Sequence, residues 1–297
     1  MIQEHALTLV NPTTNELALK VGRLTDAHAF DHICRFNYYS VLWIQQGQGV
    51  FQADLAEYPF ADGTMLFFTP YQPFMILPAK TLRGRALYFH SDFFCIEKHK
   101  KEVACNGVLF NNLYDPPAIH AAEKDTAVFE QLLDQMAHEM ARPELAQMDL
   151  LVSYLKIFLI SASRLKVEQN PAARLDTEND RQPFVLQKLK TLIEDHFKTK
   201  HAPSEYAAML NITPKALGKI AKQHFNKTLT DLISERIVIE AKRELYLTNK
   251  AVKEIAYELG FEDEYYFSRF FKKSADISPQ IYRDTVGVNR LGLPARG

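Results

Sequence analysis

Cysteine is scarce in this chain, and the little there is lies scattered. Cys34, Cys95 and Cys105 are an odd number without the paired spacing of a metal site. A disulfide framework and a zinc ribbon are therefore not expected, and the thiols read as reduced, as in a cytosolic protein. No window reaches 18 consecutive apolar residues, so no transmembrane helix is expected. The stretch MIQEHALTLVNPTTNELALK has no basic patch followed by an apolar core, so no secretory leader is expected either. A cytoplasmic location without a membrane partner follows as the expectation. Glycine-rich phosphate loops, a nucleophile elbow and paired metal motifs are also missing, which leaves no catalytic residue to nominate and no cofactor or metal to expect.

What is present is globular. The composition is 47% hydrophobic and 24% charged, which excludes wholesale disorder, and 297 residues suffice for two cores. Net charge is only −1, but it is unevenly spread. Residues 183–297 hold 19 Lys+Arg against 14 Asp+Glu, a balance of +5; residues 1–182 hold 16 against 22, a balance of −6. A polyanion would bind the positive part.

Residues 1 to about 118 read as β-rich. YYSVLWIQQGQGVFQADL places strand-formers on either side of Gly47-Gln48-Gly49, a hairpin signal. A second turn at Tyr58-Pro59 to Asp62-Gly63 precedes TMLFFTPYQPFMILP, and RALYFHSDFF closes the series. Short strands at this spacing predict a small barrel or jelly roll. His90 is read as the only histidine in the strand series and as a structural residue. Two helices follow, one with Val128, Phe129, Leu132, Leu133, Met136 and Met140 on a stripe, the other with Leu151, Tyr154, Leu155, Phe158, Leu159 and Ala162. Such stripes must cover a sheet, pair with a second subunit, or both. The polar stretch KVEQNPAARLDTENDRQP has linker composition. The division is thus 1–165, a linker at 166–182, and 183–297. The fold class is α+β, a β-rich domain with two helices followed by an all-α domain.

From Phe184 onward the periodicity is helical, and a pattern occurs twice. EYAAMLNITPKALGKIAKQHF aligns with EIAYELGFEDEYYFSRFFKK: Ala207 with Ala256, Leu210 with Leu259, Asn211 with Gly260, and Ile212 with Phe261, each 49 residues apart. Beyond the turn the offset is 50, so Leu217 aligns with Phe267, Ile220 with Phe270 and Lys222 with Lys272. The alanine lets two helices cross closely. Asn or Gly ends the first helix at positive φ. Thr213-Pro214 is an N-cap followed by proline at the first helical position. This is a helix-turn-helix pattern, whose second helix enters the DNA major groove. Between the two units, Leu229, Ile233, Ile237, Ala241 and Leu245 mark one face of a helix of about 20 residues and about 30 Å. That length matches one turn of DNA.

Residues 184–283 resemble the DNA-binding domain of the AraC/XylS family of transcription regulators. The resemblance is carried by Ile255-Ala256, Leu259-Gly260-Phe261, Tyr266-Phe267-Ser268-Arg269, Phe270-Phe271-Lys272-Lys273 and Ser278-Pro279…Tyr282-Arg283. Asn226 and Asp276 stand where the family usually has glycine, and both residue types tolerate the left-handed conformation. The resemblance implies a DNA-reading face made of Lys215, Gly218 and Lys219 in the first unit. In the second it implies Glu264, Tyr265, Ser268 and Arg269. Lys222, Lys253, Lys272 and Lys273 are then expected on phosphates. Arg269 and Lys219 suit guanine O6/N7, Glu264 suits cytosine N4, and Ser268 suits either base or phosphate. Gly218 reads either as close approach to DNA or as a tolerated residue.

The β-rich segment resembles the cupin-like effector domain that many members carry. Metal-bearing cupins supply His-x-His and Glu from the first hairpin, and no histidine lies between Gly47 and Gly63. Phe36, Tyr38, Tyr39, Trp43, Phe51, Phe67, Phe68, Tyr88 and Phe89 provide an aromatic set, part of which should point inward. That interior suits a small organic effector; a filled core is the other reading. The family resemblance implies an activator in contact with RNA polymerase; the helix-turn-helix pattern makes double-stranded DNA the expected ligand, and the apolar helix stripes make a homodimer the expected assembly. The alternative of another class is a cupin-type enzyme with a helical oligomerisation tail.

Overall fold

The computed structural model describes residues 6–12, 15–26, 28–54, 56–78, 81–103, 107–142, 144–170 and 184–286. The chain forms two compact units, one of Met1–Asn112 with Pro116–Leu175, the other of Leu113–Asp115 with Asp176–Gly297.

The first unit holds two antiparallel sheets. The larger one has the order β1 (Leu7–Val10), β2 (Leu17–Leu24), β8 (Arg83–Phe89), β3 (Tyr39–Gln46), β6 (Thr64–Phe68), β9 (Ala118–His120). The smaller has the order β5 (Ala56–Phe60), β4 (Gly49–Ala53), β7 (Phe74–Pro78). Central strands carry long apolar runs, residues 41–44 in β3, 65–68 in β6 and 86–89 in β8, because both faces of the larger sheet are covered there. Val41, Trp43, Met65, Phe67, Leu87 and Phe89 point to one core, while their neighbours Leu42, Ile44, Leu66, Phe68, Ala86 and Tyr88 point to the other. The period-2 alternation of a strand thus sorts one apolar run into two cores.

The first core is closed by α2 (Glu123–Ala141) and α3 (Gln147–Gln169), which follow the short α1 (Lys100–Val103). Phe129, Leu132, Leu133 and Met136 from α2 meet Leu151, Leu155, Phe158, Leu159 and Ala162 from α3 over the sheet. Val128 stays 49% exposed at the margin of its stripe. Covering the sheet is therefore what these stripes do. Helix α3 also continues to Gln169, four residues into the stretch read as linker from 166. A tertiary contact holds it there: the Lys166 ammonium, buried, donates to the carbonyls of Pro116 and Ala118 at 2.7 Å each. Most of that stretch, 171–182, lies outside the described residues.

Two readings of the strand series need correction. The glycines at 47 and 49 do not make a hairpin, because β3 pairs with β6 and β8 whereas β4 pairs with β5 and β7. The chain instead changes sheets there. Gly47 has φ 147°, a Cβ on it would lie 2.6 Å from the Thr81 carbonyl oxygen, and its N–H donates to Asp62 Oδ1 at 2.7 Å. Composition signals a turn but not which strands it joins. Similarly, His90 falls one residue past β8, and the histidine within a strand is His120 at the end of β9.

The second unit is helical throughout its regular elements: α4 (Phe184–His196), α5 (Pro203–Met209), α6 (Pro214–Phe225), α7 (Leu229–Leu247), α8 (Val252–Glu258), α9 (Glu264–Ala275) and α10 (Pro279–Val286). Helix α7 buries Leu229, Ile233, Ile237, Ala241 and Leu245, the face expected from the sequence. Thr228 caps it, its hydroxyl accepting from Asp231 N at 3.1 Å while Asp231 accepts from Thr228 N at 3.2 Å.

Candidate nucleic-acid interface

Each helix-turn-helix unit is assembled from the same local parts. In α5, Tyr206 and Ala207 are fully buried; in α8, Ile255 and Ala256 are. The turns close alike, with Ile212 N donating to Ala207 O at 3.1 Å and Phe261 N to Ala256 O at 3.0 Å. Asn211 (φ 54°) and Gly260 (φ 79°) occupy the left-handed position between those partners. Caps then start the second helices. Thr213 Oγ1 accepts from Ala216 N at 3.2 Å, and the Asp263 carboxylate accepts from Tyr265 N and Tyr266 N at 3.0 Å each. Asn226 (φ 55°) and Asp276 (φ 64°) end them, both left-handed as their residue types allow.

Helices α6 and α9 bury matching positions 50 residues apart: Leu217 with Phe267, Ala221 with Phe271, Phe225 with Ala275. Their remaining faces point outward. Lys215, Lys219 and Lys222 are exposed on α6, and Gly218 is half-buried. On α9, Tyr265, Arg269, Lys272 and Lys273 are exposed, while Glu264 and Ser268 are half-buried. The residues nominated from the sequence therefore share one face of each helix. A Cβ on Gly218 would meet no protein atom within 4 Å, so packing does not require glycine there. Tyr266, 57% exposed beside Tyr265 at 73%, was not nominated; the hint was its place one residue before the buried Phe267.

Charge is partitioned between faces. Lys215, Lys219, Arg269, Lys272 and Lys273 make no ion pair among the described residues, whereas Lys222 donates to its own cap at Asn226 O, 3.2 Å away. Lys253, on α8, is exposed with its ammonium 5.7 Å from the Tyr257 ring centre. Elsewhere cations are neutralised in a chain of contacts. Arg236 reaches Glu194 at 2.7 Å and Glu240 at 3.2 Å; Arg243 reaches Glu240 at 2.8 Å; Lys250 reaches Glu244 at 3.0 Å and Glu258 at 2.6 Å. The unpaired cations of α6 and α9 are thus open to an outside anion.

Arg283 sets the second unit on α7. Its guanidinium donates to Lys250 O at 2.6 Å and to Leu245 O at 3.4 Å, gripping the α7–α8 corner. Burial holds its pKa below the usual value. Tyr282 beside it is buried edge-on to Phe271, with centroids 5.7 Å apart. These two signature residues position a helix.

Residues 206–285 match the family described as helix-turn-helix domain. The HTH-type transcriptional activator RhaS of Citrobacter koseri is 23% identical over 260 residues, 83% of this chain and 85% of that protein. Residues 206–285 thus form an AraC-type helix-turn-helix domain. Two further relatives are matched over shorter stretches. The HTH-type transcriptional activator Btr of Bacillus subtilis is 35% identical over 84 residues, 28% of this chain and 16% of Btr. The raffinose operon transcriptional regulatory protein RafR of Pediococcus pentosaceus is 27% identical over 96 residues, 32% of this chain and 35% of RafR. This AraC-type chain is therefore a DNA-binding transcription regulator. No helix of the described residues is long and apolar enough to cross a membrane.

Proposed function

We propose that this regulator reads two successive major grooves, with α6 in one and α9 in the next, and activates transcription from the bound site. One observation carries the reading: the same buried register recurs in α6 and α9 on either side of α7, whose 19 residues span about 28 Å. That is close to the rise of one turn of B-DNA. Arg269, Ser268, Tyr265 and Glu264 face base edges in the second groove; Lys215, Lys219 and Gly218 face them in the first. Lys222, Lys253, Lys272 and Lys273 hold phosphates. Activation proceeds through RNA polymerase, as the names of two relatives suggest for the sign of regulation.

The domain organisation that supports this is an effector and dimerisation domain that runs through α3 to Gln169, a linker from there to 182 and the reading domain at 183–297. The N-terminal domain is non-catalytic and takes a small organic effector against its aromatic interior, where Phe36 and Tyr38 stack at 5.0 Å and remain only partly buried. Dimerisation uses the outer margin of α2 and α3, where Val128, Met148 and Ile157 are each close to half exposed. The protein works in the cytoplasm as a homodimer. Selection of random duplex DNA on the full-length chain tests the central claim. Two enriched blocks about one helical turn apart are expected; a single block, or none, overturns two-groove reading.

A further inference from the structure

We propose that Glu16, His90 and Asp92 form a site for one divalent transition-metal cation at the edge of the N-terminal barrel. Their donor atoms all lie within 4.8 Å of one another. Three separate pieces of chain converge there. Glu16 precedes β2, His90 follows β8, and Asp92 sits in the next turn; His90 N donates to Ala18 O at 2.9 Å, which seats the histidine against the start of β2.

The chemistry of Asp92 points to a cation. Its side chain is only 7% exposed and that of His90 only 3%. Asp92 Oδ2 is buried without a hydrogen-bond partner, 3.4 Å from His90 Nδ1. A cation seated between Nδ1 and Oδ2 would take the Nδ1 lone pair in place of the Asp92 backbone N–H, which lies 3.2 Å from it. A buried carboxylate oxygen left without a donor is costly, and buried charges are normally paired or coordinate metals. Two carboxylates and a neutral imidazole balance a charge of +2. Mixed nitrogen and oxygen donors favour zinc or manganese over calcium or magnesium, and three protein ligands leave a position for water.

The location separates this site from the metal centre of cupin enzymes, which the first hairpin supplies. On β8, Arg83 pairs with Gln46 next to the Gly47 turn, whereas Phe89, next to His90, pairs with Tyr39 at the far end of β3. A cation at Glu16, His90 and Asp92 would tie the β1–β2 connection to the segment leaving β8. It is a clamp on the effector domain.

The test uses the full-length chain stripped with chelator, with Zn2+ as probe and melting temperature and equilibrium dialysis as readouts. One equivalent bound, with a raised melting temperature, is expected. Asp92→Asn and Glu16→Gln, which preserve shape, should each weaken binding at least about tenfold. Without metal, Asp92→Asn should melt at or above the parent, because the unpartnered charge is gone, and the order should reverse once Zn2+ is added. Substituting Co2+ should give a spectrum without thiolate charge transfer. No stoichiometric binding, binding that both variants retain, or a thiolate signature would each overturn the site.

Discussion

In the first helix-turn-helix unit the left-handed turn residue is Asn211, and in the second it is Gly260, with φ within 25° of each other. The dihedral requirement is the same, but the surroundings are not. A Cβ on Gly260 would stand 2.2 Å from the Lys198 carbonyl oxygen, just beyond α4, whereas Asn211 carries a Cβ without obstruction. The caps differ similarly: Thr213 accepts one N–H and Asp263 accepts two. The outward chemistry differs most, with lysines on α6 against an arginine, a serine and exposed tyrosines on α9. One buried register therefore serves two surfaces that have diverged. Lysine is a point charge suited to phosphate, while a planar guanidinium can pair with a guanine edge in two places.

The largest expected effect tests the turn. Gly260→Ala should cost about 3 kcal/mol or more, from the forced conformation and the contact with Lys198 together. Asn211→Ala should cost only about 1 kcal/mol, the ordinary penalty for a left-handed alanine. Urea denaturation of the two variants measures both; equal costs would mean that the Lys198 carbonyl moves freely and that the units do not differ here. The next contrast tests the reading faces. Arg269→Ala should lose about 1–3 kcal/mol of binding, with relaxed preference at one base pair. Lys222→Ala should weaken all sequences alike and lower the slope of log affinity against log salt by about 1. Binding titrations at several salt concentrations on matched and altered sites separate the two. A uniform loss for Arg269→Ala would assign it to phosphate. Smaller again is the cap contrast: Asp263→Ala should destabilise by about 1–2 kcal/mol and Thr213→Ala by about 0.5–1 kcal/mol, read from thermal unfolding.

Much of this domain was legible in the sequence because its constraints are local. The crossing alanines, the Asn or Gly at positive φ, the Thr213 cap and the α7 stripe each answer to residues within a turn or two. The outward faces were implied by the resemblance to the AraC/XylS family; the repeat alone does not supply them. The N-terminal barrel was legible as β-rich but not in its pairing, since Gly47 announces a bend and the choice of partner strand depends on residues 20 to 50 positions away. The Glu16, His90 and Asp92 cluster was illegible for the same reason: β2 and β8 bring together residues more than 70 positions apart. Arg283 belonged to the family signature, yet its grip on two carbonyls of the α7–α8 corner needed coordinates.

The smallest effect concerns the entry to α5. Glu205 accepts from Ala202 N at 3.0 Å and pairs with Lys200 at 3.1 Å. The backbone N–H first, and then Lys200, hold its carboxyl below the usual value of 4.5. A carboxyl whose folded pKa is depressed contributes stability that is complete above the unfolded value and disappears as pH falls through the folded one. The wild-type chain should therefore lose a little stability on acidification below about pH 4.5, in a step that Glu205→Gln lacks. Because the side chain is still 34% exposed, solvent screening keeps the difference below about 1 kcal/mol. Melting curves of both proteins between pH 3 and pH 7 measure it. If the two curves run parallel across that range, the first unit owes nothing to this cap, and its entry rests on Pro203 and the buried Tyr206 and Ala207 alone.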